Sequence, residues 1–215
     1  PPLNLFANEY TATVRRSIET ERILTPALRD VPRGSFTDDG LSNSLAMVAR
    51  LIATRDVLGV KRQVFFVSLG GFDTHDGLLG RHPRLLDAVG TAMSEFQAAL
   101  KLMGVESQVT TFTASDFGRT VNQNDDGSDH GWGSMHFVMG GAVNGGRYHG
   151  DAPTLGAEGL VDLGRGRLMP TRAFDQLSHS LGSWFGLSAS DLLQVLPNIG
   201  NFNVAQRNLG VMKSG

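Results

Sequence analysis

Apolar residues along this chain alternate between a helical period and short continuous runs. They recur at helical spacing in Asn4–Leu24, Leu41–Val57 and Leu85–Met103, and again near the end in Thr171–Phe185. Polar residues occupy the other side of each stretch, a pattern that predicts amphipathic helices packed against a core. A shorter helical segment is predicted at 188–195.

Three short apolar runs lack the helical period and predict β-strands. They are Val64–Val67, Val109–Thr113 and His136–Val143. Continuous apolar runs of this kind are typical of strands that are buried on both faces in parallel sheets. The first run, the helix Leu85–Met103 and the second run make a βαβ unit, which places its two strands side by side in parallel. The sequence therefore predicts an α/β fold with a mostly parallel sheet flanked by helices.

The turn after the first predicted strand carries the first candidate chemistry. Gly70 and Gly71 end the apolar run, and Asp73 and His75 follow at once. Ligands bind outside the carboxyl ends of strands in open α/β sheets, and a carboxylate with an imidazole suits a metal ion or an anionic substrate. In the competing interpretation, Asp73 caps the next helix and His75 forms only local hydrogen bonds. Asp116 follows the second predicted strand, so we expect it at the same edge.

A polar, glycine-rich segment at 121–133 supplies a second acid–imidazole pair. Asp129 and His130 are adjacent there, and their oxygen and nitrogen donors suit Zn, Mn or Fe. A solvated polar turn and a loose calcium loop are the competing interpretations, although the bidentate glutamate of a calcium loop is missing. The calcium loop would use the side chains of Asn122, Asn124, Asp125, Asp126 and Asp129. Arg119, just before the segment, is a candidate anion clamp or a surface salt bridge.

Composition narrows the classes of function. The chain has 215 residues, of which 40% are hydrophobic and 19% charged, as expected for a globular protein. Its formal net charge of -2 gives no electrostatic case for binding nucleic acid or an anionic membrane surface. It has no cysteine, which excludes a disulfide framework and a thiolate metal site or nucleophile. No apolar stretch reaches the length of a transmembrane helix.

We expect one α/β domain over 1–215. It divides into a helical lead-in, a βαβ core with the candidate site, and a segment with a surface hairpin near 160–170 and the last helix; these cover 1–40, 41–150 and 151–215. The chain begins with Pro1 and not with methionine, so we expect a processed or partial chain whose targeting signals cannot be judged from this end.

Several short motifs resemble the signature blocks of the domain of unknown function 1501 family. The blocks are GGFDTH at 70–75, SDFGRT at 115–120, SDHGWG at 128–133 and GGAVNGG at 140–146. WFG at 184–186 and LPN at 196–198 are similar to the C-terminal end of that family. The blocks follow the order of the family and span most of the chain after about residue 41.

The resemblance implies a fold, a location and a position within a longer protein. The family is grouped by fold with alkaline phosphatases, sulfatases and cofactor-independent phosphoglycerate mutases. Its members typically carry a twin-arginine export signal, which implies a periplasmic or cell-envelope location. Full-length members have a further N-terminal strand with glycines and an aspartate, so the resemblance implies that this chain is the C-terminal portion of a longer protein.

The wider superfamily resemblance also implies a site with two divalent metals beside a serine or threonine nucleophile. When the superfamily pattern is carried onto this sequence, the metal ligands that it implies are Asp73, His75, Asp116, Asp129 and His130. Arg119 would contact the anion, and Ser115 is a nearby hydroxyl for a catalytic role. Phe117 departs from the pattern, because those enzymes usually have a histidine directly after the aspartate.

Two functions follow from these observations. The first is a metal-dependent hydrolase of phosphate or sulfate esters that uses Zn, Mn, Fe or Ca and acts on a small anionic substrate. The second is a non-catalytic envelope protein that binds a protein partner, keeps the fold and has lost the chemistry. The density of Asp, His and Gly after the predicted strands favours the first. Phe117 and the lack of a supported nucleophile favour the second.

Overall fold

The computed structural model describes residues 4–152 and 163–213. The α-helices are α1 (Leu5–Leu28), α2 (Gly40–Ala53), α3 (Leu78–Leu102), α4 (Phe174–Phe185), α5 (Ala189–Val195) and α6 (Val204–Arg207). The strands are β1 (Thr111–Phe112), β2 (Gly118–Asn124), β3 (Gly127–Gly131) and β4 (Val138–Met139), and a 3-10 helix covers Pro197–Asn201. Helices account for 46% of the described residues. The predicted helices are confirmed, with shifted ends.

The main core forms between α2 and α3. The apolar side of α2 is buried from Leu41 to Ile52, and α3 contributes Ala92, Phe96 and Leu100 from its second half. The carboxylate of Asp39 accepts a hydrogen bond from the Ser42 N–H and so caps the start of α2. α3 begins after Gly77, whose φ of 59° is readily adopted only by glycine. Hydrophobic spacing and these end signals together fix the two helices that build the core.

The prediction of a mostly parallel sheet is wrong. The described residues form two small antiparallel sheets, in which β1 pairs with β4 and β2 pairs with β3. The runs Val109–Thr113 and His136–Val143 therefore meet each other in antiparallel orientation and contribute only two residues each to their sheet. Hydrophobic runs predict extended backbone, but they do not specify which segment supplies the hydrogen-bonding neighbour.

The first predicted strand is extended but is buried on one side only. Phe65, Val67 and Leu69 pack against the α2–α3 core, whereas Val64 and Phe66 are 83% and 89% exposed. From 63 to 71 the backbone forms no hydrogen bond to any described residue. The segment has the period of two that is typical of a strand, and it holds its position through side-chain packing alone.

The polar, glycine-rich segment at 121–133 contains most of an antiparallel hairpin. β2 and β3 are joined by a turn in which Asp125 adopts a φ of 57°, and Gly118 pairs with Gly131 at the open end. The sequence Asn-Asp-Asp-Gly at this turn is a hairpin signal. Its flanks are polar, because the hairpin buries little apolar surface, and hydrophobic patterning therefore missed it.

Near the C-terminus, α4 packs against α5, α6 and the 3-10 helix. Leu177, Leu192, Ile199 and Val211 are buried there, and the backbone at Val143 bridges to the C-terminal segment. Residues 160–162 of the predicted surface hairpin lie outside the described residues. In the described part, the Leu163 N–H donates to the Arg167 carbonyl at 2.8 Å and closes a turn. The Val121 N–H donates to the Gly166 carbonyl, so this turn lies against β2.

α1 is the exception to the packing of the helices. It continues through Pro26, where the sequence predicted its end, and none of its residues is buried. Phe6 and Tyr10 on its apolar stripe are 90% and 73% exposed. No helix among the described residues has the length and apolar character needed to cross a membrane.

Leu100 and Leu102 provide a matched test of the core. Leu100 is 0% exposed and Leu102 is 90% exposed on the same helix. We expect Leu100→Ala to lower the free energy of unfolding by about 2–5 kcal/mol because it leaves a cavity. Leu102→Ala should change it by less than about 0.5 kcal/mol. Urea denaturation measures both, and equal losses would contradict this location of the core.

Candidate metal centre

Two segments meet to form the candidate site. The loop that follows the extended segment carries Asp73 and His75, and the β2–β3 hairpin carries His130. The Ser128 N–H donates to the Thr74 carbonyl at 3.2 Å, and the Leu78 N–H donates to the Asp126 carbonyl at 3.0 Å. These backbone bonds attach the hairpin to the loop at Thr74, between the two ligands of the loop, and at Leu78, after them.

Three side chains direct one ligand atom each toward a common point. Asp73 Oδ1 lies 3.0 Å from His75 Nε2 and 2.9 Å from His130 Nε2, and the two Nε2 atoms are 3.2 Å apart. Asp73, His75 and His130 lie close enough together to bind a metal ion. Their side chains are 56%, 49% and 48% exposed, so the centre is open to solvent.

The donor set and its spacing fit a divalent metal. With metal–ligand bonds of about 2.0–2.1 Å, neighbouring ligand atoms lie about 3.0 Å apart in octahedral sites and about 3.3 Å apart in tetrahedral sites. The three measured separations, 2.9–3.2 Å, match this spacing. Two imidazole nitrogens and one carboxylate oxygen are ligands that Zn, Mn and Fe accept. The residues present therefore fit the metal that the sequence predicted.

Arg119 attaches Asp73 to the hairpin and is mostly buried, at 16% side-chain exposure. Its Nη1 donates to Asp73 Oδ1 at 2.9 Å, and its Nη2 donates to the Thr74 carbonyl at 2.6 Å. Its Nε donates to Ser128 Oγ at 3.0 Å, and its Nη2 also contacts the Ser128 carbonyl. The guanidinium is thus engaged by protein groups on both segments and fixes the orientation of the Asp73 carboxylate.

Phe117 holds the imidazole of His130. The two rings are stacked, with their centroids 3.8 Å apart and their planes 11° apart. The guanidinium carbon of Arg119 lies 5.7 Å from the centre of the same phenyl ring. The residue that departs from the superfamily pattern therefore contacts a candidate ligand through its ring face. No local pattern signals this contact, because it depends on how the hairpin folds over residue 117.

The electrostatic field of the site favours an ionised Asp73. The hydrogen bond from His130 lowers the pKa of the Asp73 carboxyl most, and partial desolvation opposes this shift. The hydrogen bond from Arg119 and the nearby charge of His75 lower the pKa further. An ionised carboxylate between imidazoles is the form that binds a cation.

The remaining predicted site residues occupy different positions. Asp129 Oδ1 lies 3.6 Å from His75 Nδ1, whereas Asp73 and His130 lie nearest to Nε2 of the same ring. Asp116 is exposed and forms no hydrogen bond or ion pair with any described residue. The Ser115 hydroxyl donates to the Phe117 carbonyl at 2.9 Å. Asp73 does not cap α3, because Gly77 occupies that position.

The calcium-loop interpretation fits the geometry poorly. Asn124 directs its amide Nδ2 at Asp129 Oδ1, 2.6 Å away, so the two side chains contact each other. Asp125 and Asp126 are exposed at the tip of the hairpin. Among the described residues, the group spaced for a metal ion contains none of these side chains.

A comparison with family models supports the motif-based resemblance. The model described as a protein of unknown function, DUF1501, matches residues 11–165. The chain belongs to the DUF1501 family. The match includes every candidate ligand and the motifs around them, and it ends before WFG at 184–186. Searches of the curated proteins and of the solved structures found no match.

Membership of the DUF1501 family does not by itself establish a superfamily or a position within a longer chain. The DUF1501 match supports neither the alkaline phosphatase superfamily nor a place in the C-terminal part of a longer chain. The antiparallel pairing of the described strands also differs from the parallel sheet which that superfamily implied. What connects this protein to metal chemistry is thus the geometry of its own side chains.

Gly127 provides a test of how the hairpin docks. A Cβ at this position would overlap the backbone of His75 and would meet the Asp76 nitrogen at 2.7 Å. We expect Gly127→Ala to lower the free energy of unfolding by about 1–3 kcal/mol, because the hairpin must move away from the loop. Gly145→Ala is the control, since its Cβ would meet nothing within 4 Å. Comparable stability of the two variants in urea denaturation would contradict this docking.

The lowered pKa of Asp73 predicts a pH dependence of stability. A carboxyl whose pKa is lower in the folded chain stabilises the fold above its unfolded-chain value, about 3.9, and this contribution is lost as the pH falls through the folded-state pKa. We therefore expect the stability advantage of metal-free wild type over Asp73→Asn to shrink as the pH falls below about 4. Urea titrations at several pH values measure it, and a difference independent of pH would contradict the assignment.

Proposed function

We propose that this protein binds a divalent metal ion through Asp73, His75 and His130 and uses it to hydrolyse phosphate or sulfate esters. One observation carries the proposal, namely three ligand atoms of suitable chemistry separated by 2.9–3.2 Å on a solvent-open face. Catalytic metal sites commonly use three protein ligands and keep a position for water or substrate.

The ligand chemistry favours some metals over others. Two imidazole nitrogens suit Zn, Mn or Fe, whereas Ca prefers six to eight oxygen ligands. Of the four metals that the sequence left open, Ca therefore has the least support. Zn has the most, because two histidines and one carboxylate are a frequent catalytic zinc set.

The chain's own residues prepare the centre for this chemistry. Arg119 holds the Asp73 carboxylate and helps to keep it ionised, and Phe117 fixes the plane of the His130 ring. A bound divalent metal would supply Lewis acidity and a water of lowered pKa. The exposure of the three ligands gives an ester access to the centre from solvent.

The substrate class and the location rest on the motif resemblance. Phosphate and sulfate esters are the substrates of the superfamily that the motifs resemble, so a small anionic ester is the substrate we propose. A periplasmic or envelope location belongs to the same proposal, since export is typical of the family.

One observation favours the second candidate, a non-catalytic metal-binding envelope protein. Arg119 is engaged by Asp73 and by backbone carbonyls, and the Ser115 hydroxyl is engaged by the Phe117 carbonyl. Arg119 and Ser115 are the side chains expected to act on the substrate, and both are engaged by protein groups instead of facing an anion that enters from solvent. In this candidate, metal binding remains and ester hydrolysis is absent.

Metal content tests the centre. We expect wild-type protein purified without chelator or an affinity metal to carry roughly one equivalent of Zn, Mn or Fe by elemental analysis. Asp73→Asn and His130→Ala should each lose most of it, because two remaining ligands hold a metal weakly. Circular dichroism spectra should show that both variants remain folded.

Asp76→Asn is the matched control. It makes the same change three residues after Asp73, at a carboxylate that pairs with Arg81 and does not belong to the group of three candidate ligands. Wild-type metal load in Asp73→Asn, or equal loss in Asp76→Asn, would refute the centre. If the metal assignment holds, a screen of aryl phosphate and aryl sulfate esters decides between the two candidates. Turnover that is lost in Asp73→Asn supports the hydrolase, and no turnover supports the non-catalytic protein.

A further inference from the structure

We propose that Asp129 is a positioning residue for His75 and not a metal ligand. The proposal rests on the metal centre of the proposed function and adds a second layer of side chains to it. Metal-bound histidines commonly direct their other ring nitrogen at a carboxylate, which fixes the tautomer and the orientation of the ring.

The two nitrogens of the His75 ring face different carboxylates. Nε2 faces Asp73 Oδ1 at 3.0 Å and His130 Nε2 at 3.2 Å, and so belongs to the ligand group. Nδ1 faces Asp129 Oδ1 at 3.6 Å. A ring in this position with its proton on Nδ1 directs that N–H toward Asp129 and leaves the lone pair of Nε2 for a metal.

Asp129 is itself held in place. Asn124 Nδ2 donates to its Oδ1 at 2.6 Å, and its backbone N–H donates to Thr120 Oγ1 at 3.0 Å. Arg165 Nη2 lies 3.5 Å from its Oδ2. The side chain is 37% exposed, less than Asp73 at 56%. A carboxylate restrained from several sides can impose an orientation on the imidazole it faces.

His130 is held in a different way. Its Nε2 faces Asp73, and its ring is stacked on Phe117. Within the described residues, no carboxylate lies within 4.0 Å of its Nδ1. The two histidines thus differ in support, and the proposal applies to His75 alone.

The first measurement is zinc affinity. Titration calorimetry with ZnCl₂ should give a Kd that is weaker by about 10–100-fold in Asp129→Asn than in wild type, with unchanged stoichiometry. Asp126→Asn removes the same charge from the same hairpin, outside the metal group, and should change Kd by less than about threefold. Asp129→Glu keeps the charge and should bind more tightly than Asp129→Asn.

The second measurement needs no metal. Long-range ¹H–¹⁵N NMR of the metal-free protein reports which ring nitrogen carries the proton. Asp73 Oδ1, 3.0 Å from Nε2, competes with Asp129 for the ring proton in the metal-free protein, so we expect a larger share of His75 protonated on Nδ1 in wild type and in Asp126→Asn than in Asp129→Asn. A mixture of tautomers is expected in Asp129→Asn, because an amide can donate as well as accept. The same spectra show whether each variant is folded, and Asp129→Glu provides the test if Asp129→Asn is not.

The outcomes separate this proposal from the proposed function. A wild-type tautomer in Asp129→Asn, or a zinc Kd equal to that of Asp126→Asn, would overturn the positioning role. If wild type binds none of Zn, Mn and Fe, the proposed function fails, and the tautomer measurement alone decides whether Asp129 orients His75.

Discussion

The candidate metal centre depends on the ion pair between Arg119 and Asp73. Asp73 lies on the loop after the extended segment, and Arg119 lies on the first strand of the hairpin, 46 residues later. The same guanidinium donates to carbonyl oxygens of both segments, so it fixes their separation as well as one carboxylate. Because Arg119 is largely buried, this pair is screened less by salt than a surface pair.

Close backbone packing complements this charge pair. The hairpin reaches the loop at Gly127, where a side chain would overlap the backbone of His75. The buried hydroxyl residue Thr74 lies between the two ligands of the loop and accepts two hydrogen bonds at its carbonyl. The ligands are therefore exposed to solvent while the backbone beneath them is tightly packed. Such support is what holds a metal site to its geometry.

Local sequence signals predicted the helices and most of the site, but not the sheet. The apolar stripe of α2 predicted that helix, whose contacts are near in sequence, whereas α3 begins at Leu78, before the predicted start at Leu85. Asp73 with His75, and His130 with Asp129, were found because each pair is adjacent or nearly so. The pairing of β1 with β4 spans more than twenty residues, and no local pattern specifies it.

The differences between the predicted ligand set and the group of three in the structure have the same origin. Asp116 was expected to join the ligands because a parallel sheet would have brought two strand ends together, and the described strands are antiparallel. Asp129 was predicted as a ligand because of its neighbour His130, and in the structure its carboxylate lies nearest to Nδ1 of His75, outside the group of three ligand atoms. The roles of Phe117 and Ser128 depend on tertiary contacts and had no sequence signal.

The extended segment that leads into the site has a further consequence for how the protein behaves in concentrated solution. Its backbone from 63 to 71 is unpaired within the described structure, and Val64 and Phe66 face outward. An extended apolar segment whose backbone is unpaired is a template on which other chains can add as strands. It carries no proline or inward charge to oppose such addition. The segment ends two residues before Asp73, so a chain that added to it as a strand would lie next to the candidate metal centre.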